Sequence, residues 1–129
     1  MNLNQVTVPS VDVARSVDFY QRLGLELIVK SLPHYVRLLC PDGQSTFSVH
    51  QVESLPQGEG VYVYFEVEDV TATVHQLAEK GFVLDLPPTD QPWLWTEARL
   101  KDPDGNQIII YHAGENRINP PWRITETDA

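Results

Sequence analysis

The sequence predicts an α+β fold built from two copies of one small unit. Asp12 and Asp69 each begin a helix-like pattern that ends at a glycine twelve positions later, at Gly24 and Gly81. Short apolar segments precede and follow each copy at matching positions, as Val6 and Val63 do before the two helices. Each copy is therefore expected to be a strand–helix–strand unit. Two such units can face each other about a pseudo-twofold axis and leave a cup between them.

Length and composition exclude several classes of protein. The chain of 129 residues is about one domain long, and its only cysteine, Cys40, cannot form an intrachain disulfide, so a cytoplasmic location is expected. No apolar stretch approaches the ~20 residues of a membrane span. The net charge of −9 argues against nucleic acid, whose phosphates need a basic partner. The same charge tolerates a cationic ligand, although more often it only keeps a protein soluble.

The first half contains one helix and four strands by local pattern. Residues 3–8 alternate polar and apolar side chains, which predicts a strand that Pro9 ends. Asp12 is a good N-cap, apolar residues at helical spacing follow it, and Gly24 ends the helix. The remaining predictions are strands at 25–29 and 35–39, a Pro-Asp-Gly turn at 41–43, and a strand at 46–52.

The second half repeats this order after a linker at 54–60 that is rich in glycine and proline. The predictions are a strand at 61–67, a helix at 70–80, strands at 82–86, 95–101 and 107–112, an irregular Pro-rich loop at 87–92, and a turn at 102–105. The tail at 114–129 contains Trp122, which is expected to anchor on the domain or at a dimer contact. The chain 1–129 is thus interpreted as one domain, with modules at about 1–53 and 61–113.

Strand alternation separates a helix side from a cup side. In strand 61–67 the tyrosines share the cup side, and in the last strand Ile109 and Tyr111 do. The fourth strand gives two answers. Aligning the two Pro-Asp-Gly turns places Phe47 in the cup, whereas the hydrophobic pattern places Phe47 under the helices and Ser48 and His50 in the cup. A one-residue slip reverses every side chain, and we favour the pattern.

The predicted cup has an aromatic lining with a few hydrogen-bonding groups, which is typical of a small-molecule site. Its residues are Gln5, Thr7, Ser48, His50, Tyr62, Tyr64, Ile109 and Tyr111, with Trp93 and Trp95 near the rim. Aromatic faces can stack on a planar or cationic ligand, or they can simply fill the barrel.

Three motifs are similar to those of a known superfamily. They are the run Val11-Asp12-Val13-Ala14-Arg15-Ser16-Val17-Asp18-Phe19-Tyr20 before Leu23-Gly24-Leu25, the segment 65–70, and Asp-Pro-Asp-Gly-Asn within 101–106. With them the chain resembles the vicinal oxygen chelate superfamily, which includes glyoxalase I, extradiol dioxygenases and bleomycin-resistance proteins. The resemblance covers residues 3–112. It implies two βαβββ modules that form half-open mixed β-barrels around a central cup, and a homodimer.

The resemblance also locates the positions where relatives hold a divalent metal with His, Glu or Gln. The matching residues here are Gln5, Ser48 (or Phe47), Tyr62 and Ile109. Glutamine is a weak ligand, serine and tyrosine are poor replacements for imidazole and carboxylate, and isoleucine has no donor atom. The usual metal site is therefore expected to be lost, and no catalytic residue is assigned.

Two main hypotheses follow. The first is a small-molecule-binding protein, similar to the bleomycin-resistance group, that sequesters an aromatic or cationic compound without metal. The alternative is a metal-dependent lyase, isomerase or dioxygenase with a divalent metal at a displaced site, held by His50 and His112 with Glu66 or Glu97. A third hypothesis is a protein–protein module whose cup is filled by its own side chains.

Overall fold

The computed structural model describes residues 1–125. Along the chain, a unit of one strand, one helix and three further strands occurs twice. The elements are β1 (Gln5–Ser10), α1 (Val13–Leu23), β2 (Glu26–Ser31), β3 (Tyr35–Leu39), β4 (Thr46–Gln51), β5 (Tyr62–Glu66), α2 (Val70–Glu79), β6 (Leu86–Asp90), β7 (Thr96–Lys101) and β8 (Gln107–His112). A short 3₁₀ helix, Gly114–Arg117, follows β8. The last four residues of the predicted tail, 126–129, lie outside the described residues.

The strands form two four-stranded mixed sheets. Their orders are β1-β4-β3-β2 and β5-β8-β7-β6, so each sheet keeps two edge strands and neither closes on itself. In the first sheet β1 runs parallel to β4, and β3 runs antiparallel to both of its neighbours. The predicted α+β class with two βαβββ repeats and half-open sheets is confirmed.

Both helices begin at the predicted aspartates. The Asp12 carboxylate accepts a hydrogen bond from the backbone N–H of Arg15 at 3.2 Å, and Asp69 accepts one from Ala72 at 2.9 Å. These bonds satisfy N–H groups that have no partner within the first helical turn. Gly24 ends α1 with a φ of 119°, a left-handed conformation that other residues adopt only with strain.

The chain divides into two compact units that do not coincide with its two sequence modules. Unit 1 contains Met1–Tyr62 together with Lys101–Gln107, and unit 2 contains Val63–Leu100 and the described residues from Ile108 onward. The Asp-Pro-Asp-Gly-Asn turn of the second module therefore belongs to unit 1. Within unit 1, Tyr20 and Phe47 pack with ring centroids 4.4 Å apart. The other fully buried core side chains of this unit include Val8, Val13, Val36, Leu38 and Val49.

The predictions for residues 82–92 are wrong. The strand expected at 82–86 is displaced to β6, which runs through Pro87 and Pro88, where an irregular loop was expected. Proline has no N–H to donate, so it is tolerated mainly in edge strands and bulges. β6 is an edge strand, and its pairing with β7 shifts register between Leu86 and Thr89. Pro87 and Pro88 lie within this irregular stretch, where no backbone N–H is needed for pairing with β7, so the strand can contain them.

Among residues 1–125, neither helix has the length and apolar character of a membrane-spanning segment.

Candidate functional site

The face of β4 that carries Ser48 is opposite to the face that packs on α1. Phe47 is buried against Tyr20 of α1, so the interpretation that placed Phe47 on the helix side is confirmed. Side chains alternate along a strand, and Ser48 and His50 therefore lie on the other face.

The lengths of two loops explain why the turn alignment misplaced Phe47. Residues 40–45, six in number, join β3 to β4, whereas residues 102–106, five in number, join β7 to β8. An alignment that holds for the strands before this turn is therefore out of step by one position in the strands after it. β4 begins at Thr46 and β8 begins at Gln107, so Ser48, and not Phe47, corresponds to Ile109.

We define the polar face of unit 1 as Gln5, Thr7, Tyr35, Arg37, Ser48 and His50. Strand register places Thr7, Ser48 and Arg37 side by side across β1, β4 and β3. His50 lies opposite Tyr35 in the next row. The first sheet thus presents hydroxyl, imidazole and guanidinium groups on the side that α1 does not cover.

A hydrogen-bond chain joins three side chains of the polar face. Arg37 Nε donates to the Tyr35 hydroxyl at 3.0 Å, and that hydroxyl donates to Ser48 Oγ at 2.9 Å. Partial burial acts to raise the pKa of Tyr35, but hydrogen bonds with Ser48 and Arg37 and the charge of Arg37 together lower it below its usual 10.0. Gln5 is occupied separately, because its Oε1 accepts from Thr46 Oγ1 at 2.8 Å.

We define the aromatic face of unit 2 as Tyr64, Trp95, Ile109 and Tyr111. Tyr111 packs against Trp95 at 4.8 Å and edge-on against Tyr64 at 5.4 Å between ring centroids. Ile109 is fully buried in the same cluster, whereas Tyr64 is 44% exposed. A ligand on this face would contact Tyr64 and Trp95 first, with Ile109 beneath the rings.

A buried ion pair next to the aromatic face was not recognised as such from the sequence. Glu97 Oε1 accepts from Arg99 Nη2 at 2.6 Å and Nε at 3.1 Å, and its Oε2 accepts from the Trp93 indole at 2.8 Å. Side chains alternate along β7, so Glu97 and Arg99 lie on the same side of the strand as Trp95. The available signal was a Trp-x-Glu-x-Arg pattern in a predicted strand, which suits one strand face with paired charges.

The predicted cup residues fall into two groups, one in each unit. Unit 1 holds Gln5, Thr7, Ser48, His50 and Tyr62, and unit 2 holds Tyr64, Trp93, Trp95, Ile109 and Tyr111. Tyr62 donates its hydroxyl proton to Glu59 Oε2 at 2.9 Å. Unit 1 also has a cleft of about 480 Å³, which is lined mainly by the linker and the 104–106 turn. None of the ten predicted cup residues lines this cleft.

The residues at the family's metal positions do not fit a divalent ion. Gln5 and Ser48 are engaged by Thr46 and Tyr35, and Ile109 has no donor atom. Among residues 1–125, no group of three or more His, Cys, Asp or Glu side chains is arranged to hold a metal.

The side chains of the alternative, displaced site have other partners. His112 Nδ1 lies 2.8 Å from the carbonyl oxygen of Val67, and Glu66 Oε2 accepts from the backbone N–H groups of Ala113 and Gly114. Glu97 is held by Arg99 and Trp93. His50 is exposed on the polar face of unit 1.

Comparisons with known proteins agree with this fold. Residues 2–110 match the family model described as Glyoxalase/Bleomycin resistance protein/Dioxygenase superfamily. A search of curated proteins gave no significant match.

Several solved structures superpose over most of the chain. A glyoxalase/bleomycin resistance protein/dioxygenase from Nocardioides has a TM-score of 0.79 at 20% identity, and the match covers 97% of this chain and 90% of that one. A bleomycin-binding protein complexed with bleomycin has a TM-score of 0.72 at 20% identity, covering 87% and 98%. Lactoylglutathione lyase from Agrobacterium tumefaciens has a TM-score of 0.73 at 15% identity, covering 86% and 92%. At these identities the likeness establishes the fold.

Proposed function

The chain belongs to the Glyoxalase/Bleomycin resistance protein/Dioxygenase superfamily, and from this premise we propose that it binds a small molecule without using a metal. The proposed ligand is an aromatic or cationic compound that the protein sequesters. The observation that carries the proposal is the aromatic face of unit 2, where a half-exposed Tyr64 and a partly exposed Trp95 stand over a buried apolar floor.

The chemistry of the aromatic face supports stacking. Edge-to-face packing against Tyr111 and Trp95 fixes the Tyr64 ring, so little side-chain entropy is lost when a planar ligand binds. Each aromatic or cation–π contact contributes on the order of 0.5–2 kcal/mol. The net charge of −9 adds a weak general attraction for cations.

The donor atoms at the family's metal positions support binding over catalysis. A superfamily member that polarises a substrate oxygen holds its metal with His, Glu or Gln side chains around an open coordination position. Glutamine, serine, tyrosine and isoleucine stand at those positions here. The bleomycin-binding relative provides a precedent for a ligand-binding protein with this fold.

Tryptophan fluorescence tests the proposal. The full chain is titrated with phenyltrimethylammonium as an aromatic cation and with benzyl alcohol as a neutral aromatic, and saturable quenching is expected for the cation. Tyr64→Ala should weaken binding about tenfold, because one stacking contact is removed, while Tyr64→Phe should bind nearly as well as the parent. Val83→Ala is the control, since Val83 is exposed and lies outside the aromatic face and the tail.

Two results would refute the proposal. One is the absence of any response to either aromatic probe, together with a clear thermal shift on addition of Mn(II), Ni(II) or Zn(II). The other is equal weakening by Tyr64→Ala and Val83→Ala, which would show that the loss of binding is not specific to the aromatic face.

We further propose a cytoplasmic homodimer, as in many members of the superfamily. The tail carries exposed apolar side chains at Ile118, Trp122 and Ile124, each more than half exposed. Exposed apolar side chains mark a protein interface when they form one contiguous patch, which is the arrangement we propose for these three. Analytical ultracentrifugation should give twice the chain mass of 14.6 kDa, and Trp122→Ser should shift the equilibrium toward the single chain. A parent protein that sediments as a single chain at 100 μM would contradict this.

A further inference from the structure

Arg37 and Arg99 occupy equivalent positions in the two modules. Arg37 lies two positions before Leu39, the last residue of β3, and Arg99 lies two positions before Lys101, the last residue of β7. The residues two positions earlier, Tyr35 and Glu97, are equivalent in the same way. The duplication therefore provides an internal comparison between two arginines on equivalent strands with different neighbours.

In the second module the protein itself supplies the counter-ion. Glu97 is fully buried, and one of its carboxylate oxygens accepts from both Nε and Nη2 of Arg99. A guanidinium that binds a carboxylate in this way is satisfied in charge and in hydrogen bonding. No external anion is needed at this position.

In the first module no carboxylate takes that place. Arg37 Nε donates to the Tyr35 hydroxyl, and the guanidinium carbon lies 5.5 Å from the centre of the Tyr35 ring. Within residues 1–125, no ion pair joins Arg37 to an Asp or Glu. This is notable in a chain that has 18 acidic and only 9 basic side chains. The Nη groups of Arg37 thus keep their capacity to bind an anion.

The neighbours of Arg37 are suited to the same task. Thr7, which is exposed, lies in the same row of the sheet as Arg37, with the fully buried Ser48 between them. The Thr7 hydroxyl can rotate to donate a hydrogen bond. Tyr35 joins Arg37 to Ser48 and restrains the guanidinium in the plane of its Nε hydrogen bond. A planar guanidinium with a hydroxyl donor on the same face matches the oxygens of a carboxylate or a phosphate.

We propose that Arg37, with Thr7, forms a binding site for the carboxylate or phosphate group of a small molecule. The inference goes beyond the aromatic-face proposal, because it concerns a different face and the opposite charge. The net charge of −9 repels anions at long range, so free inorganic ions are expected to bind only in the millimolar range.

Nuclear magnetic resonance of the full ¹⁵N-labelled chain tests the site with two probes. Inorganic phosphate and sodium benzoate are titrated separately at constant ionic strength, and the Arg37 Nε–Hε signal and the Ser48 amide are followed. Saturable shifts of these signals support the site. The probe that produces saturable shifts, whether phosphate, benzoate or both, identifies the anion that the site prefers. Phosphate has no ring, so its result is independent of stacking on the aromatic face.

Three variants make the test specific. Arg37→Gln should weaken anion binding at least tenfold. Tyr35→Glu should do the same while retaining the arginine, because it recreates the Glu97–Arg99 arrangement in the first module. Arg22→Gln, on the surface of α1, removes the same charge and should change binding less than twofold.

Two outcomes overturn the proposal. The first is the absence of saturable shifts at Arg37 for either probe up to 100 mM in the parent protein, a measurement that needs no variant to fold. The second is an equal loss of binding in Arg37→Gln and Arg22→Gln, which would show that the change in net charge, and not the position of Arg37, causes the loss.

Discussion

The buried carboxylate of Asp102 organises the Asp-Pro-Asp-Gly-Asn turn. Its Oδ1 accepts from the backbone N–H groups of Asp104 and Asn106, and its Oδ2 accepts from the Tyr20 hydroxyl at 2.6 Å and from the Asn106 side chain. Burial and the nearby Asp102 carboxylate raise the pKa of Tyr20, so its hydroxyl remains a donor. The motif that marks the superfamily in this sequence thus has a structural role in unit 1.

Asp102→Ala should be strongly destabilising. The change leaves two backbone N–H groups and the buried Tyr20 hydroxyl without an acceptor, and we expect a loss of about 3 kcal/mol in the free energy of unfolding, measured with urea. Asp42→Ala is the comparison, because Asp42 also accepts backbone N–H groups in a Pro-Asp-Gly turn but is exposed. A loss for Asp102→Ala no larger than that for Asp42→Ala would contradict this account.

Glu66 predicts a specific dependence of stability on pH. Partial burial acts to raise the pKa of Glu66, but hydrogen bonds from Ala113 and Gly114 and the charges of His112 and Arg117 together lower it below 4.5. Because the folded-state pKa lies below the unfolded value, this contribution to stability is complete above about pH 5.5 and falls as the pH drops through the folded-state pKa.

The measurement is the free energy of unfolding at pH 6 and pH 3.5 for the parent and Glu66→Gln. The parent should lose more stability on acidification than the variant, since glutamine does not titrate. Equal losses in the two proteins would show that Glu66 does not contribute to acid sensitivity.

Among the secondary-structure elements, the helices could be predicted from sequence and β6 could not. Each helix has its capping aspartate, its apolar spacing and its terminating glycine within about fifteen residues of chain, so local signals are sufficient. Pro87 and Pro88 locally favour a loop, and only the position of β6 at a sheet edge makes them tolerable in a strand. That position depends on β7, which follows later in the sequence.

Local pattern also predicted which face of a sheet some side chains occupy, but it did not predict their hydrogen-bond partners. Alternation along β5 and β8 was enough to place Tyr64 and Tyr111 on one face, as their ring contact shows. The partner of an arginine on a strand depends on register and on the residue two positions away. The Trp-x-Glu-x-Arg pattern therefore indicated only that Glu97 and Arg99 share a strand face, and no pattern in the sequence indicated which side chains Arg37 contacts.

The two helix caps offer a matched test at this scale. Asp12→Ala and Asp69→Ala should each lower the free energy of unfolding by about 1 kcal/mol, because each removes the acceptor for one unpaired N–H group. The double variant should show the sum of the two losses, since the caps lie on different helices. Asp18→Ala within α1 is the control and should change stability by less than about 0.5 kcal/mol. Losses below that level for both caps would contradict the capping role.

At the scale of the whole molecule, the compact units cross the boundary between the sequence modules. Unit 1 includes Lys101–Gln107, although the linker at 54–60 separates the modules in the sequence. Asp104 accepts from Arg15 Nη2 at 2.8 Å and from the backbone N–H of Val11 at 3.0 Å, so the start of α1 depends on a turn from the far end of the chain. Unit 1 therefore needs residues from both sequence modules.

A fragment comprising residues 1–62 is accordingly expected not to fold by itself. It contains a complete βαβββ module, but it lacks the carboxylates of Asp102 and Asp104, and it would leave the Tyr20 hydroxyl buried without its acceptor. Circular dichroism should show no cooperative thermal transition for this fragment. The matched control is the full chain cleaved by a protease at Gly58, which keeps both parts and should retain a cooperative transition. A cooperative transition in the isolated fragment would show that the first module is an independent domain, and that the turn contributes little to its stability.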